Sequence, residues 1–361
     1  MMKKAVLLFS VSLLVSCSDS TGPEQEGFSV IPPETPQPAG TRLFGINPSE
    51  SEQGFMPSWE LAAEAGVQVV EILIHWDQVE TEEGIYTDPD GVLQAISFYG
   101  MENVRVLLTI AVLNTTESTV PRYLSGYDYN SPEVVESFIE MSDWVFQQIS
   151  PSVIIAGFSI GNEIDIYLEG SQQWNSYTEF FSQVSDHARN ERPSIPVEVK
   201  CTASNCINGI DSAEIININH YSDVVMMNCY FNSSSFQVLP PESVHEYFEQ
   251  LVSLFPSKDI WITETGYQSG SEHCGSSQVN QAQFYHELFT AWDTHSDRID
   301  MVLVNWLHDQ SPETIAQWIE YYGSSDPGFV EFLSTLGLRN HNHTDKYAWL
   351  QVLEEASARG W

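Results

Sequence analysis

Eight apolar runs, each followed by an amphipathic stretch, constrain this chain more than any other feature of its sequence. They are residues 43–47, 67–74, 104–112, 153–160, 197–201, 224–229, 260–263 and 301–305. Most are continuous in Val, Ile, Leu and Met rather than alternating, which is the pattern of parallel strands buried on both faces. The stretches between them read as helices. Ser131 is placed to cap a helix that begins at Pro132, with Val134, Phe138, Met141, Val145 and Ile149 at spacings of three and four. Val244, Tyr247, Phe248, Leu251, Val252 and Phe255 repeat that spacing. Eight strand-then-helix units without an internal linker predict an α/β fold, a single (β/α)8 (TIM) barrel over residues 42–361. A doubly wound open sheet fits less well, because no glycine-rich phosphate loop follows the first run.

Charge narrows the partners. The chain has 13 Lys+Arg against 50 Asp+Glu, a formal net charge of −37. Nucleic acid binding needs a basic face, so it is not expected, and an anionic membrane surface would be repelled. The acidity reads as a solvated surface suited to salty surroundings.

The N-terminal residues carry a different signal. Lys3 and Lys4 precede a short apolar segment, Ala5 to Val15, and Leu14-Val15-Ser16-Cys17 follows the pattern of a bacterial lipobox. Residues 1–16 are read as a lipoprotein signal peptide, with Cys17 as the lipidated residue; an ordinary signal peptide is the other reading. Residues 17–41, rich in Pro and Glu, read as a tether. The expected location is therefore outside the cytoplasm, held to a bacterial membrane through the lipid alone. In that oxidising setting Cys201, Cys206, Cys229 and Cys274 could form two disulfides, Cys201–Cys206 being the shorter loop, or stay as buried thiols. No Cys or His spacing matches a zinc site, and neither a metal nor an organic cofactor is expected.

Function in such a barrel gathers at the C-terminal ends of the strands. The fourth run ends Ser159-Ile160-Gly161-Asn162-Glu163 and the seventh ends Ile262-Thr263-Glu264-Thr265-Gly266. A charged residue directly after a long buried run is costly unless it sits at the barrel mouth. Glutamates after strands four and seven face each other across that mouth. Such a pair can flank a glycosidic bond at the carboxyl spacing of about 5 Å used in retaining hydrolysis.

These two motifs resemble clan A of the glycoside hydrolases, and the resemblance covers roughly residues 43–361. It implies Glu163 as acid/base, Glu264 as nucleophile and Asn162 as a hydrogen-bond donor to the sugar 2-hydroxyl. Tyr230, ending strand six, is similar to the clan's tyrosine that hydrogen-bonds the nucleophile. Trp306, ending strand eight, is similar to its tryptophan platform under the cleaved sugar. His75 and Trp76 end strand two and are read as substrate-binding residues, and the stretch from His75-Trp76 through Glu80 to Gly84-Ile85-Tyr86 resembles a Trp…Glu…Gly-x-Tyr segment of several clan families. An arginine common at that strand end is missing. Asn114 after strand three is a candidate subsite residue.

Other features carry less. His220-Tyr221-Ser222-Asp223 precedes strand six, on the opposite face of the barrel; His341 and His343 have no third ligand; Ser159 and Ser269 lack a histidine partner. The expectation is a monomeric, lipid-anchored retaining endo-β-glycanase acting on a polysaccharide, most like the endo-β-1,4-galactanases and β-glucanases. An exo-acting β-glycosidase on oligosaccharides and a catalytically dead carbohydrate-binding lipoprotein are the alternatives.

Overall fold

In the computed structural model residues 28–361 are described; the lipobox and Cys17 lie outside them. Eight parallel strands form the barrel: β1 Leu43–Ile46, β2 Val69–His75, β3 Arg105–Asn114, β4 Ile155–Asn162, β5 Val197–Glu198 with Lys200–Thr202, β6 Val225–Tyr230, β7 Ile260–Gly266 and β8 Ile299–Val304. Each matches one of the runs read from the sequence. β5 is interrupted at Val199: its first piece pairs with β4 (Phe158 beside Val197) and its second with β6 (Met226 beside Lys200). The sheet is therefore a nearly closed ring of nine parallel segments.

Long helices cover the outside. Helix Pro132–Gln148 starts at the proline, with Ser131 at its N-cap, although the Ser131 hydroxyl makes no capping bond. Helix Ser243–Leu254 matches the second predicted periodicity. The barrel interior is filled by Val69, Leu107, Met226, Trp261, Met301 and Leu303. Trp261 and Glu198 explain a glycine in β4, since a Cβ on Gly157 would stand 2.6 Å from the Trp261 ring and closer still to the Glu198 carboxyl. Close packing leaves no room for one more methyl there.

The ring closes where β1 meets β8, Leu43 lying beside Met301 and Ile46 beside Val304. The last helix, Tyr347–Arg359, seals this seam from outside. Gln351 exchanges two hydrogen bonds with the backbone of Ile31, and the Ala39 N–H donates to the Arg359 carbonyl. Arg42 and Arg359 both pair with Asp293, and Arg42 lies over the rings of Trp292 and Trp361. The described part of the expected tether, from Phe28 to Thr41, is thus docked on the barrel rather than free; Phe28 stacks on Tyr347 at 4.3 Å.

Two excursions leave the repeating pattern. After β2, a short helix and the hairpin Glu80–Glu82/Ile85–Tyr86 are pinned by the buried carboxylate of Glu80. It accepts from Trp76 Nε1, the Gly84 N–H, Tyr123 and Ser137 at 2.7 to 3.0 Å. After β8, helices Pro312–Tyr322 and Pro327–Thr335 rise beside the barrel mouth. All four cysteines of the folded region are buried free thiols, so of the two sequence readings the disulfides are set aside. Cys201 sits in β5 and Cys206 in the helix Ala203–Asn208 that follows.

Candidate active site

The C-terminal ends of the strands surround a cavity of about 1000 Å³. At the end of β4 the backbone turns through Gly161 at φ 97°, where a Cβ would meet the Tyr177 hydroxyl at 2.5 Å. Glycine is required at that position both by conformation and by space. Two residues later Glu163 adopts φ 48° and ψ 46°, a left-handed conformation that costs a non-glycine residue about 1–2 kcal/mol. The turn aims the half-buried Glu163 carboxyl into the cavity. Asn228 Nδ2 donates to its Oε1 at 3.1 Å and Thr115 Oγ1 to its Oε2 at 2.9 Å.

Glu264 enters from β7. Tyr230 OH donates to Oε2 at 2.8 Å and Asn305 Nδ2 donates to the same oxygen at 3.0 Å. Burial and the charges of Glu264 and Glu163 raise the Tyr230 hydroxyl well above its ordinary value, so it stays a donor. The Glu163 carboxyl is pushed up to about 8, first by burial and then by the negative charge of Glu264; the bonds from Asn228 and Thr115 work in the other direction. The two carboxyls of one cavity thus differ in environment: Glu163 takes one donor on each oxygen and is tuned to hold a proton near neutral pH, whereas both donors of Glu264 fall on Oε2 and leave Oε1 to the cavity.

Around them runs a continuous polar layer. Asn162, almost fully buried, donates to Asn114 Oδ1 at 2.9 Å and accepts from Asn228. Asn114 Nδ2 in turn donates to His75 Nε2 at 3.1 Å and to Tyr321 OH at 3.0 Å. Burial lowers the His75 pKa, which suits a neutral ring accepting through Nε2. Trp306 is half-buried on the cavity wall with Trp318 tilted against it at 4.9 Å, and the Asn305–Trp306 peptide is cis.

Of the residues singled out from sequence, Glu163, Glu264, Asn162, Tyr230, Trp306, His75 and Asn114 all line this cavity. Trp76 does not. As the first residue of the short helix after β2 its ring turns away from the mouth, is fully buried against Phe138, and is held by Glu80. Its placement as a sugar-contacting residue is corrected: it anchors the loop. His341 and His343 face Asp309 and Ser51, and no metal-binding group of three or more His, Cys, Asp or Glu occurs among the described residues. Sequence reasoning passed over Asn47, Glu71, Asn228 and Asn305, each a polar side chain inside or directly after an apolar run. It also passed over Trp318, Tyr321 and Tyr322, which come from the excursion after β8.

Fold and site together define a (β/α)8 barrel with a two-glutamate cavity. No family model and no curated protein matches the sequence. Among solved structures, the architecture is that of glycoside hydrolase barrels of families 5 and 39, the clan A barrels to which the sequence motifs point. A GH5_18 protein from Streptomyces cattleya, in complex with GlcNAc, is 13% identical with a TM-score of 0.66, over 90% of this chain and 81% of its own. The exo-β-1,4-mannosidase of Opitutaceae bacterium strain TAV5 is 16% identical with a TM-score of 0.65, over 88% of this chain and 59% of its own. A family 39 glycoside hydrolase from Bacteroides cellulosilyticus is 14% identical with a TM-score of 0.61, over 89% of this chain and 65% of its own.

Proposed function

We propose that this protein is a retaining β-glycosidase, with Glu163 as acid/base and Glu264 as nucleophile. The observation that carries the reading is geometric: Glu163 at the end of β4 and Glu264 in β7 line one cavity, with Glu264 held through Oε2 by Tyr230 and Asn305, and burial beside the Glu264 charge raises Glu163 to about 8. Glu264 Oε1 attacks the anomeric carbon while Glu163 gives its proton to the departing oxygen. Esterification then removes the Glu264 charge, the Glu163 pKa falls, and Glu163 takes a proton from the water that cleaves the ester. Asn162, Trp306, His75 and Asn114 are read as the sugar-binding surface, with the Trp306 indole stacking on an apolar sugar face.

The leaving group extends on the Glu163 side, over β4, so the retained sugar lies toward β8, β1 and β2. A side chain from the excursion after β8 spans the mouth from β8 to β3. Tyr321, carried by helix Pro312–Tyr322 after β8, crosses to β3, donating to the Asn114 carbonyl at 2.8 Å and accepting from its side chain. A crossing there favours removal of a short unit from a chain end over the internal cleavage expected from sequence. The likeness to an exo-β-1,4-mannosidase, and to a Streptomyces cattleya GH5_18 variant crystallised with Manβ1-4GlcNAc, supports a β-linked oligosaccharide as substrate. The lipobox reading adds an attachment outside the cytoplasm through Cys17.

A reducing-sugar assay on a panel of β-glycans tests this. Chain-end action releases one small sugar, internal action a ladder of oligomers, and a binding protein nothing. Azide separates the roles of the glutamates: Glu163→Ala should yield the β-glycosyl azide and Glu264→Ala the α-product. The same anomer from both variants would overturn the assignment.

A further inference from the structure

Three glutamates line the cavity, Glu71 as well as Glu163 and Glu264, and among the described residues no lysine or arginine does. The two-glutamate reaction has no use for the third. Glu71 lies in β2, its side chain only 6% exposed. Its Oε1 accepts from Thr109 Oγ1 at 2.7 Å and from Lys200 Nζ. Lys200 projects from β5 beneath the cavity floor and is fully buried, so it cannot itself touch a ligand. Burial brings the Lys200 ammonium down to about 8, against the pull of the Glu264 charge, which leaves it a cation at neutral pH. No donor among the described residues reaches Glu71 Oε2, although Glu71 borders the cavity.

Glu71 is also linked to the nucleophile through hydrogen bonds. Its backbone N–H donates to Asn47 Oδ1 at 2.9 Å, Asn47 Nδ2 donates to Asn305 Oδ1 at 2.7 Å, and Asn305 holds Glu264. Burying a third carboxylate next to two others is costly, and a lysine buried solely to neutralise it adds a second desolvation cost. Well-packed apolar residues would fill a barrel floor at least as stably. A carboxylate with one oxygen fixed from below and the other turned to a sugar-sized cavity is instead suited to accept hydrogen bonds from hydroxyls, the strong charge-assisted kind.

We propose that Glu71 is a substrate-hydroxyl acceptor that sets sugar specificity at the cavity floor, and that Lys200 is its positioning residue, holding one carboxyl oxygen from beneath. The ligand class is a sugar presenting a free hydroxyl to the floor beside the scissile bond. The proposal deepens the β-glycosidase reading and rests on it. A site built around such an acceptor rejects an analogue lacking the hydroxyl, because the buried carboxylate then loses its partner.

The test pairs enzyme variants with substrate analogues. The aryl β-glycoside that the protein cleaves fastest is compared with its monodeoxy analogues, using wild type, Glu71→Gln, and the double variant Glu71→Met/Lys200→Met, which has no unpaired buried charge. At one hydroxyl position wild-type kcat/KM should fall by about 10- to 100-fold more on deoxygenation than that of either variant. Equal deoxy penalties at every position in all three proteins would overturn the proposal and leave Glu71 as a structural partner of Lys200. Failure of the wild type to cleave any aryl β-glycoside would instead overturn the underlying β-glycosidase reading, so the two failures are distinct.

Discussion

Holding Glu163 as an acid should cost this protein stability, and the cost can be measured. Its carboxyl rises from the ordinary 4.5 to about 8 in the folded state. A group with a raised folded pKa contributes stability that is fully present below its unfolded pKa and is lost as pH rises through the folded value. The window is therefore pH 4.5 to about 8. Each unit is worth about 1.4 kcal/mol, which gives an upper bound of about 5 kcal/mol. The residue keeps some contact with the open cavity, so screening by water reduces this to roughly 2–4 kcal/mol. Glu163→Gln keeps the shape and can still accept from Asn228 but has nothing to ionise. It should match the wild type in unfolding free energy near pH 4.5 and exceed it by roughly 2–4 kcal/mol at pH 8.5. Urea unfolding at the two pH values reads this directly. Wild-type kcat/KM should decline over the upper part of the same window, as Glu163 loses its proton. The variant should have lost nearly all activity on natural glycans at every pH. Parallel stability–pH curves for the two proteins would refute the claim that Glu163 stores this energy.

Other expectations follow from the same structure. The net charge of −37 predicts that the thermal midpoint rises from dilute buffer to about half-molar salt, where screening reaches only a few Å; a flat or falling midpoint would contradict the high-salt reading. Glu80→Ala strands four donors, so calorimetry or urea unfolding should show a loss of about 2–4 kcal/mol. Asn305→Ala removes one of the two donors on Glu264 Oε2 and should lower kcat by about 10- to 100-fold with a smaller change in KM. Cys17→Ala should release the protein from the membrane fraction into soluble extract, as judged by fractionation.

The barrel was legible because its strands are buried on both faces, so each one reads as an unbroken apolar run. Glu163 and Glu264 stood out because each ends such a run. Residues within runs were harder. Glu71, Lys200 and Asn228 sit inside apolar stretches, where a lone polar letter looks like noise in a hydrophobic pattern. The signal was nonetheless present, since an unpaired buried charge or amide is too costly to be incidental. Trp76 misled for the opposite reason. It is an aromatic residue at a strand end, and only the geometry of the helix after β2 shows its ring turning toward Phe138. Tyr321 could not be placed from sequence at all. Its contact with Asn114 spans 207 residues and depends on how the excursion after β8 folds back over the mouth.

The seam between β1 and β8 has a consequence for how the chain reaches its fold. Gln351 and Ile31 are 320 residues apart, and the first strand finds its second neighbour only when β8 has been made. Contacts of such long range come late in folding, after the entropy of closing the largest loop has been met. Until then β1 has an unpaired edge and the ring stays open. A ring that needs both its first and its last strand cannot close before β8 is made, and the chain stays open until then. That is the state a chain must keep if it passes through a membrane channel before it becomes a barrel.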